Sequence, residues 1–517
     1  MHGLINNLAI GFVHVFAPDN MFALTIGLLI GMAVSVMPGL GLVLGVVLAL
    51  PFTYKMGIEP SIILLTAIYV AGTYAGCFTA ILYRIPGEPS DVPLLWDGYG
   101  MTRKGQAAKA LGWALVAALI GGLVSSTVMV SLAEPFARFA LTFNSLDLFS
   151  FIVVGLTCVM CLATSSLTNA FISLSIGLII GTVGIDSTYG VQRFTFGQPL
   201  LSGGINYVTV LVGAYGLGEV FTRFGQLLRV EAQPKEKAKI ETHLPGWREL
   251  LELRSTIFRS SVLGTILGVV PGAGAVVTSF VSYGVEKQYC RRNLGSGIPE
   301  GIVAPQIAST ASVAGHMVPL LALGIPGSGA TAVILGAFLL HGVQPGPQIF
   351  VAHPEIAYSI LSSLFVSVIG MCLIGYLWIR VVVKVLTIPQ PIIFSIVALF
   401  CIVGTYAQRN DILDVATVLV FGVVGYLFEM FRFPLAPMIL GAILGPIAES
   451  SFLRSMIRYD NDLTAFLRDP VSCVLLIVAA VAFALPLYSR IRKLRASSPP
   501  QMSPRRNSSR ATDNLAT

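Results

Sequence analysis

The chain has 517 residues, of which 55% are hydrophobic and 11% charged, and a formal charge of +7. Soluble domains carry roughly 25% charged residues, so its length counts membrane-crossing helices, not the three to four soluble domains that about 150 residues apiece would suggest. The basic surplus lies beside apolar runs and not along one face, which argues against nucleic acid as a partner and fits the excess of Lys and Arg in cytoplasmic loops.

A helix needs about 20 apolar residues to cross a hydrocarbon layer roughly 30 Å thick. The chain offers candidate spans near 21–54, 61–85, 107–132, 146–163, 168–185, 205–222, 259–284, 301–341, 356–388, 391–407, 412–430, 434–448 and 471–488. These runs are apolar on every face, unlike the alternating strands of an outer-membrane barrel. They predict an all-α polytopic membrane protein of about 11–13 spans. The start Met1-His2-Gly3 lacks the basic region of a cleavable signal, so the first apolar stretch is expected to be retained. Residues 1–222 and 260–488 read as two transmembrane halves, joined by a basic linker over 223–259 and followed by a basic, Ser- and Pro-rich tail over 489–517, expected to be disordered. Linker and tail both read as cytoplasmic. Arg454, Arg458 and Arg468, by contrast, fall in a loop that this topology places outside. Cys158 and Cys161 spell C-x-x-C without a βαβ context, so packing accounts for them, and neither a metal nor a disulfide framework is predicted.

The most informative feature is a duplication. Gly31 to Gly41 (GMAVSVMPGLG) matches Gly264 to Gly274 (GTILGVVPGAG), and each is followed by a second element, Arg84-Ile85-Pro86-Gly87 and Gly324-Ile325-Pro326-Gly327. Pro38 and Pro86 are 48 residues apart and Pro271 and Pro326 are 55 apart, so the copies differ by an insertion. Proline removes a backbone donor and glycine relaxes φ, so Pro38-Gly39, Pro86-Gly87, Pro271-Gly272 and Pro326-Gly327 should each break a helix. Broken backbone survives in a membrane only where it is buried in protein or lines a watery cavity. A lone Pro-Gly needs no more than a kink or a surface loop, but paired breaks in corresponding positions predict two repeats, taken as inverted, with the site of a secondary transporter between them.

A half-helix starting after Pro-Gly turns N–H groups and a partial positive charge into such a cavity, which suits a carboxylate. Thr79 and Ser90 flank Pro86-Gly87, and Ser328 and Thr331 follow Pro326-Gly327. Their hydroxyls can serve a ligand, a Na⁺ ion or their own helix backbone. Arg84 can pair with a substrate carboxylate or with Glu88 or Asp91 nearby in sequence, and Asp414 and Glu429 read as the two ends of one span or as a proton relay. An intramembrane enzyme would need a nucleophile with its base or a metal cluster. There is no H-E-x-x-H, no Gly-x-Ser-x-Gly and no Walker motif, and the six histidines are scattered.

From about residue 20 to 485 the sequence resembles the large membrane subunit of the tripartite tricarboxylate transporters. The resemblance is carried by Met37-Pro38-Gly39-Leu40-Gly41, Ala67-Ile68-Tyr69, Thr79-Ala80-Ile81-Leu82, Ile85-Pro86-Gly87, Asp97-Gly98-Tyr99, Gly105 and Ala110-Leu111-Gly112 in the first half. The second half supplies Val270-Pro271-Gly272-Ala273-Gly274, Gly301 to Pro305, Val318-Pro319-Leu320, Gly324-Ile325-Pro326-Gly327, His341-Gly342, Gln344-Pro345-Gly346-Pro347 and Phe433-Pro434-Leu435-Ala436-Pro437. It implies a permease of the bacterial inner membrane that imports a small organic carboxylate by symport with Na⁺ or H⁺. Its implied partners are a small membrane subunit of about four helices and a periplasmic solute-binding protein, with no other cofactor. A carboxylate channel or exporter of the same fold is the alternative. Three departures stand out: Gln306, Ser309 and Thr310 replace the Glu and two Asn usual in the family, Arg84 stands where Asn precedes Ile-Pro-Gly, and Ala75-Gly76-Cys77-Phe78 replaces Gly-Gly-Ser-Ile. The scaffold is kept and the pocket altered, which leaves citrate itself open. The candidate substrate-binding residues are Pro38, Gly39, Gly41, Thr79, Arg84, Pro86, Gly87, Pro271, Gly272, Gly274, Gln306, Ser309, Thr310, Pro326, Gly327 and Ser328.

Overall fold

The computed structural model describes residues 2–37, 41–162, 166–186, 189–198, 201–227, 243–270, 274–385 and 390–496. It is helical apart from a two-stranded antiparallel ribbon that pairs Gly184 with Arg193 and Ile185 with Gln192. In the first half α1 (His2–Val15), α2 (Pro18–Ser35), α3 (Gly41–Thr53), α4 (Ile58–Ala75) and α5 (Cys77–Tyr83) lead into a 3₁₀ turn (Pro89–Asp91). Then come α6 (Leu94–Arg103), α7 (Ala107–Ala140), α8 (Ser145–Leu162), α9 (Leu167–Gly181), α10 (Tyr207–Leu211) and, after a π-helical turn, α11 (Gly218–Leu227). The short α12 (Trp247–Glu252) precedes α13 (Arg254–Val269), α14 (Gly274–Tyr289), α15 (Glu300–Leu323), α16 (Gly329–Leu340), α17 (Ile349–Ala352) and α18 (Pro354–Val385). The chain ends with α19 (Gln390–Arg409), α20 (Ile412–Met430), α21 (Leu435–Arg458), α22 (Ala465–Arg468) and α23 (Pro470–Ala496).

Among the described residues, seven helices are long and apolar enough to cross a membrane, and seven shorter apolar helices accompany them. The runs 21–54 and 301–341 each resolve into two helices with a break between, as α2 and α3 and as α15 and α16. α13 starts at Arg254, inside the stretch read as linker, and α23 runs on past Ser489 to Ala496, inside the stretch read as tail. Residues 228–242 and 497–517 lie outside the described residues.

Two helices form the centre. α4 is buried from Ser61 through Ala75 and α15 from Glu300 through Ala322, so neither offers a face to lipid. Helices in a bilayer gain little from burying apolar surface against one another, so close approach over small residues decides their packing. A Cβ on Gly31 of α2 would lie 2.5 Å from the Ile68 carbonyl oxygen of α4, and one on Gly264 of α13 would lie 2.6 Å from the Ala308 carbonyl oxygen of α15. With Pro86 set on Pro326, Ile68 falls on Ala308, so the two contacts use corresponding positions. The next contact along does the same with its residues exchanged: Ser35 faces Gly72 in the first half and Gly268 faces Ser312 in the second. Across the halves α7 packs on α15, with Gly121 against Ile307, and α18 packs on α4.

A buried acid ties the two halves at their edge. Asp97 of α6 accepts from the Tyr283 hydroxyl (2.9 Å) and from the N–H groups of Gly295 (2.9 Å), Gly297 (2.8 Å) and Ile298 (3.1 Å), and Lys104 donates to the Ser296 carbonyl beside it (2.5 Å). Gly295 and Gly297 have φ of +90° and +82°, the left-handed region that lets successive N–H groups turn to one carboxylate. Asp414 and Glu429 stand in the first and last turns of α20, at its two ends.

Candidate functional site

The described sides of the four breaks share one backbone plan. Pro38, Gly39, Pro271 and Gly272 lie outside the described residues, but the glycines that follow them open their helices in the same way, Gly41 at φ +68° before α3 and Gly274 at φ +62° before α14. The second breaks also match. Arg84 (φ +58°) and Gly324 (φ +73°) are left-handed caps on α5 and α15, and the following N–H turns back in each: Ile85 to the Thr79 carbonyl at 3.3 Å and Ile325 to the Pro319 carbonyl at 3.1 Å. Past Pro86-Gly87 the Glu88 N–H donates to the Asp91 carboxylate at 2.8 Å. Past Pro326-Gly327 the Ser328 N–H donates to the Thr331 hydroxyl, also at 2.8 Å. Both are capping boxes, one built of acids and one of hydroxyls.

The glycines of the second breaks allow close approach. A Cβ on Gly87 would lie 2.5 Å from the Gly76 Cα and 2.6 Å from the Ser35 carbonyl oxygen, and one on Gly327 would lie 2.7 Å from His316 Cδ2. Gly76 and His316 hold corresponding positions, so an imidazole fills in the second half the space that backbone fills in the first. The breaks also touch each other. The Glu88 carboxylate accepts from the Leu42 N–H at the start of α3, Val43 in that same turn packs on Gly329 at the start of α16, and the Ser279 hydroxyl of α14 donates to the Ser90 carbonyl at 2.6 Å.

At the meeting of the halves stands a buried polar group. The Tyr69 hydroxyl of α4 is 2.7 Å from His316 Nδ1 of α15 and 3.0 Å from the Ser328 hydroxyl that caps α16. Among the described residues His316 Nε2 has no hydrogen-bond partner, although the residue is wholly buried. Ser328 and Gly329 are half-buried, and the Tyr215 hydroxyl lies 3.2 Å from where a Cβ on Gly329 would stand.

The other predicted residues divide. Gln306 donates to the Thr310 hydroxyl at 3.2 Å and to the Thr73 carbonyl at 3.5 Å, joining α15 to α4, while its Oε1 has no partner among the described residues. Ser309 is buried with its hydroxyl likewise unpartnered. Thr310 and Thr79 donate to their own helices, to the Gln306 and Gly76 carbonyls, the backbone use open to any helical hydroxyl. Arg84 is exposed, its guanidinium 6.0 Å from the Tyr99 ring, and the two acids near it in sequence are engaged elsewhere, Glu88 with α3 and Asp91 with Glu88. Pro86 is half-buried and Pro326 buried beside their glycines. Among the described residues no group of three or more His, Cys, Asp and Glu is placed to hold a metal. The Tyr69–His316 contact and the contact of Glu88 with the Leu42 N–H escape a linear reading. The Glu88/Asp91 box had a visible signal, the same three-residue spacing as Ser328/Thr331 in register.

A model of the tripartite tricarboxylate transporter TctA family matches residues 21–440. The chain belongs to that family. A 52.8 kDa uncharacterised protein from the TAR-I ttuC′ 3′ region of Agrobacterium vitis is 35% identical over 497 residues, covering 96% of this chain and 98% of its own. A second uncharacterised protein of that organism, from the TAR-II ttuC′ 3′ region, is 36% identical over 234 residues, 45% of this chain and 97% of its own. The family is one of transporters, and this member is a multi-pass membrane permease.

Proposed function

We propose that the chain is the large permease subunit of a binding-protein-dependent secondary transporter of the inner membrane, importing a small organic carboxylate by symport with Na⁺ or H⁺. Its partners are a small membrane subunit of about four helices and a periplasmic solute-binding protein, and its C-terminus is cytoplasmic. The two halves are inverted repeats, and the breaks between them hold the substrate.

One observation carries the reading: corresponding positions of the halves break in the same way, with left-handed glycines opening α3 and α14 and left-handed caps closing α5 and α15. Such ends expose N–H groups that lipid cannot satisfy, and they cluster where α3, α14, α16 and the 88–91 turn meet. The sequence carries no ATP-binding motif, so ATP does not drive the chain directly, and membership of a family of transporters supports an ion gradient as the energy source.

The test is uptake by vesicles reconstituted with all three subunits and offered citrate, succinate, L-malate or malonate under an inward Na⁺ or H⁺ gradient. Saturable accumulation of at least one acid, abolished when the gradient is collapsed, is expected. Accumulation by the isolated chain, or non-saturating flux that ignores the gradient, refutes it.

A further inference from the structure

We propose that a Na⁺ ion, the coupling ion of the transport reading, binds in the first half only, between the Glu88 and Asp91 carboxylates and the Ser35 hydroxyl and carbonyl at the end of α2. The proposal rests on that reading and gives its cation a place.

These groups converge on one face of α4. A Cβ on Gly76 would collide with the Asp91 carboxylate, and one on Gly72, a turn earlier, would lie 2.8 Å from the Ser35 hydroxyl oxygen. Residues four apart on a helix are offset by about 6 Å along its axis, so hydroxyl and carboxylate are neighbours over that face. The same Gly72 position is 2.8 Å from Leu42 Cβ, and the Leu42 N–H holds the Glu88 carboxylate, which brings the second acid beside the hydroxyl. Gly87 closes the group, since a Cβ there would lie 2.6 Å from the Ser35 carbonyl oxygen. Ser35 is the last residue of α2, so that carbonyl belongs to the negative end of a helix.

Charge and hydrogen bonding both call for a cation. Ser35 is 0% exposed, Asp91 1% and Glu88 8%. Each acid takes an N–H, Glu88 from Leu42 and Asp91 from Glu88, yet among the described residues no Lys, Arg or His pairs with either, and Arg84 is exposed against Tyr99. Buried carboxylates without a counter-charge are strongly disfavoured. The Ser35 hydroxyl has no partner among the described residues. A helical hydroxyl can ordinarily donate to its own backbone, as Ser312 does to the Ser309 carbonyl at 2.7 Å in the position that matches Gly72. One proton would neutralise one acid and leave the other charged, with the hydroxyl still unpartnered. A small hard cation takes oxygens of all of them at once, and helix ends with free carbonyls are where secondary transporters hold such ions.

The second half lacks the set. Ser328 and Thr331 stand in place of the two acids, Gly268 in place of Ser35, and the His316 ring fills the space over Gly327 that in the first half is left to backbone. Two copies of one backbone thus differ in charge, and only the first suits a cation.

The test measures binding of radioactive Na⁺ to the purified three-subunit complex in detergent without substrate, alongside acid uptake by the same complex in vesicles. Saturable Na⁺ binding by the wild type is expected. Ser35→Ala removes only an unpartnered hydroxyl, so the fold should hold, and the Na⁺ concentration for half-saturation should rise about tenfold for the loss of one oxygen ligand. Glu88→Gln and Asp91→Asn should each remove one bound Na⁺ per permease. Ser367→Ala deletes an equally buried and unpartnered hydroxyl on α18 and should bind Na⁺ as the wild type does. Binding unchanged in Ser35→Ala and in each acid variant that elutes as an intact complex overturns the site. If neither acid variant elutes intact, Ser35→Ala decides, weakened binding supporting the site and unchanged binding overturning it. A wild type that binds no Na⁺ and accumulates acid under an H⁺ gradient alone also overturns it. Uptake of none of citrate, succinate, L-malate and malonate by the wild type removes the transport reading, while the binding measurement still judges the cation site.

Discussion

Asp97→Ala is the substitution with the most legible structural cost. It leaves four donors facing a void: the Tyr283 hydroxyl and the N–H groups of Gly295, Gly297 and Ile298. Gly295 is exposed and water replaces the lost acceptor there, but Gly297 and Tyr283 are buried and Ile298 half-buried. Two to three stranded donors at about 1–3 kcal/mol each, relieved in part by water entering the space, give a loss of roughly 3–5 kcal/mol. Asp97→Asn keeps the volume, and the Tyr283 hydroxyl can turn to accept from the new amide, so only the charge-assisted part is lost, about 1–2 kcal/mol. Unfolding in mixed micelles with rising sodium dodecyl sulfate measures both, and Trp96, whose ring is 4.7 Å from that of Tyr283, reports locally. The order wild type, Asn, Ala is required. An Ala variant within about 0.5 kcal/mol of wild type, the scatter of ordinary surface substitutions, refutes the claim that this carboxylate ties α6 to the 290–298 loop.

Three further expectations follow from the packing and the breaks. Gly31→Leu and Gly264→Leu push a side chain into the backbone of α4 and α15 respectively and should each destabilise by about 1–3 kcal/mol or more, whereas Gly105→Ala, which meets no neighbour, should cost only its strained φ of +76°. Equal micellar stability of the three variants would contradict the close helix approaches. Arg84→Gly relieves a left-handed backbone worth about 1–2 kcal/mol and should stabilise the protein, while Arg84→Gln should fold as wild type because the guanidinium is exposed and bridges neither Glu88 nor Asp91. A weaker apparent affinity for the transported acid in well-folded Arg84→Gln would assign the charge to the substrate, and unchanged affinity would release it from the site. Single cysteines placed in 228–242 and 497–517 should resist an impermeant thiol reagent applied to intact spheroplasts, and labelling from outside would reverse the topology.

Much of this architecture is readable along the chain because it depends on local chemistry. Pro-Gly-x-Gly recurring in register in both halves points to a break in each, and Gly41, Gly274 and Gly324 are glycines at the positions where φ turns positive. Arg84 gives no such sign, since an arginine in a left-handed cap looks like any arginine until the backbone is traced. The family resemblance was legible for the same reason, since the stretches that carry it include the breaks. What the sequence does not display is partnership across the halves. Tyr69 and His316 are 247 residues apart and read separately as a motif tyrosine and a scattered histidine. Only the packing of α4 beside α15 turns them into one group. Glu88 shows the converse failure: its nearness to Arg84 in sequence suggested an ion pair, but the chain turns at Pro86-Gly87 and delivers it to α3.

The complete burial of α15 has a consequence for how the protein is made. This helix carries Gln306, Ser309, Thr310, Ser312 and His316 along with two prolines, and its mean hydropathy of 1.2 is the lowest among the seven long spans. In the finished protein it never meets a lipid tail, yet the ribosome delivers it into the membrane one segment at a time. A segment so polar leaves the insertion machinery reluctantly by itself. Its two main neighbours, α7 and α13, both precede it in the chain and are in place when it emerges. The order of synthesis therefore supplies the surface that receives it, and a chain permuted so that α15 came first would put its polar face to lipid before any protein could cover it.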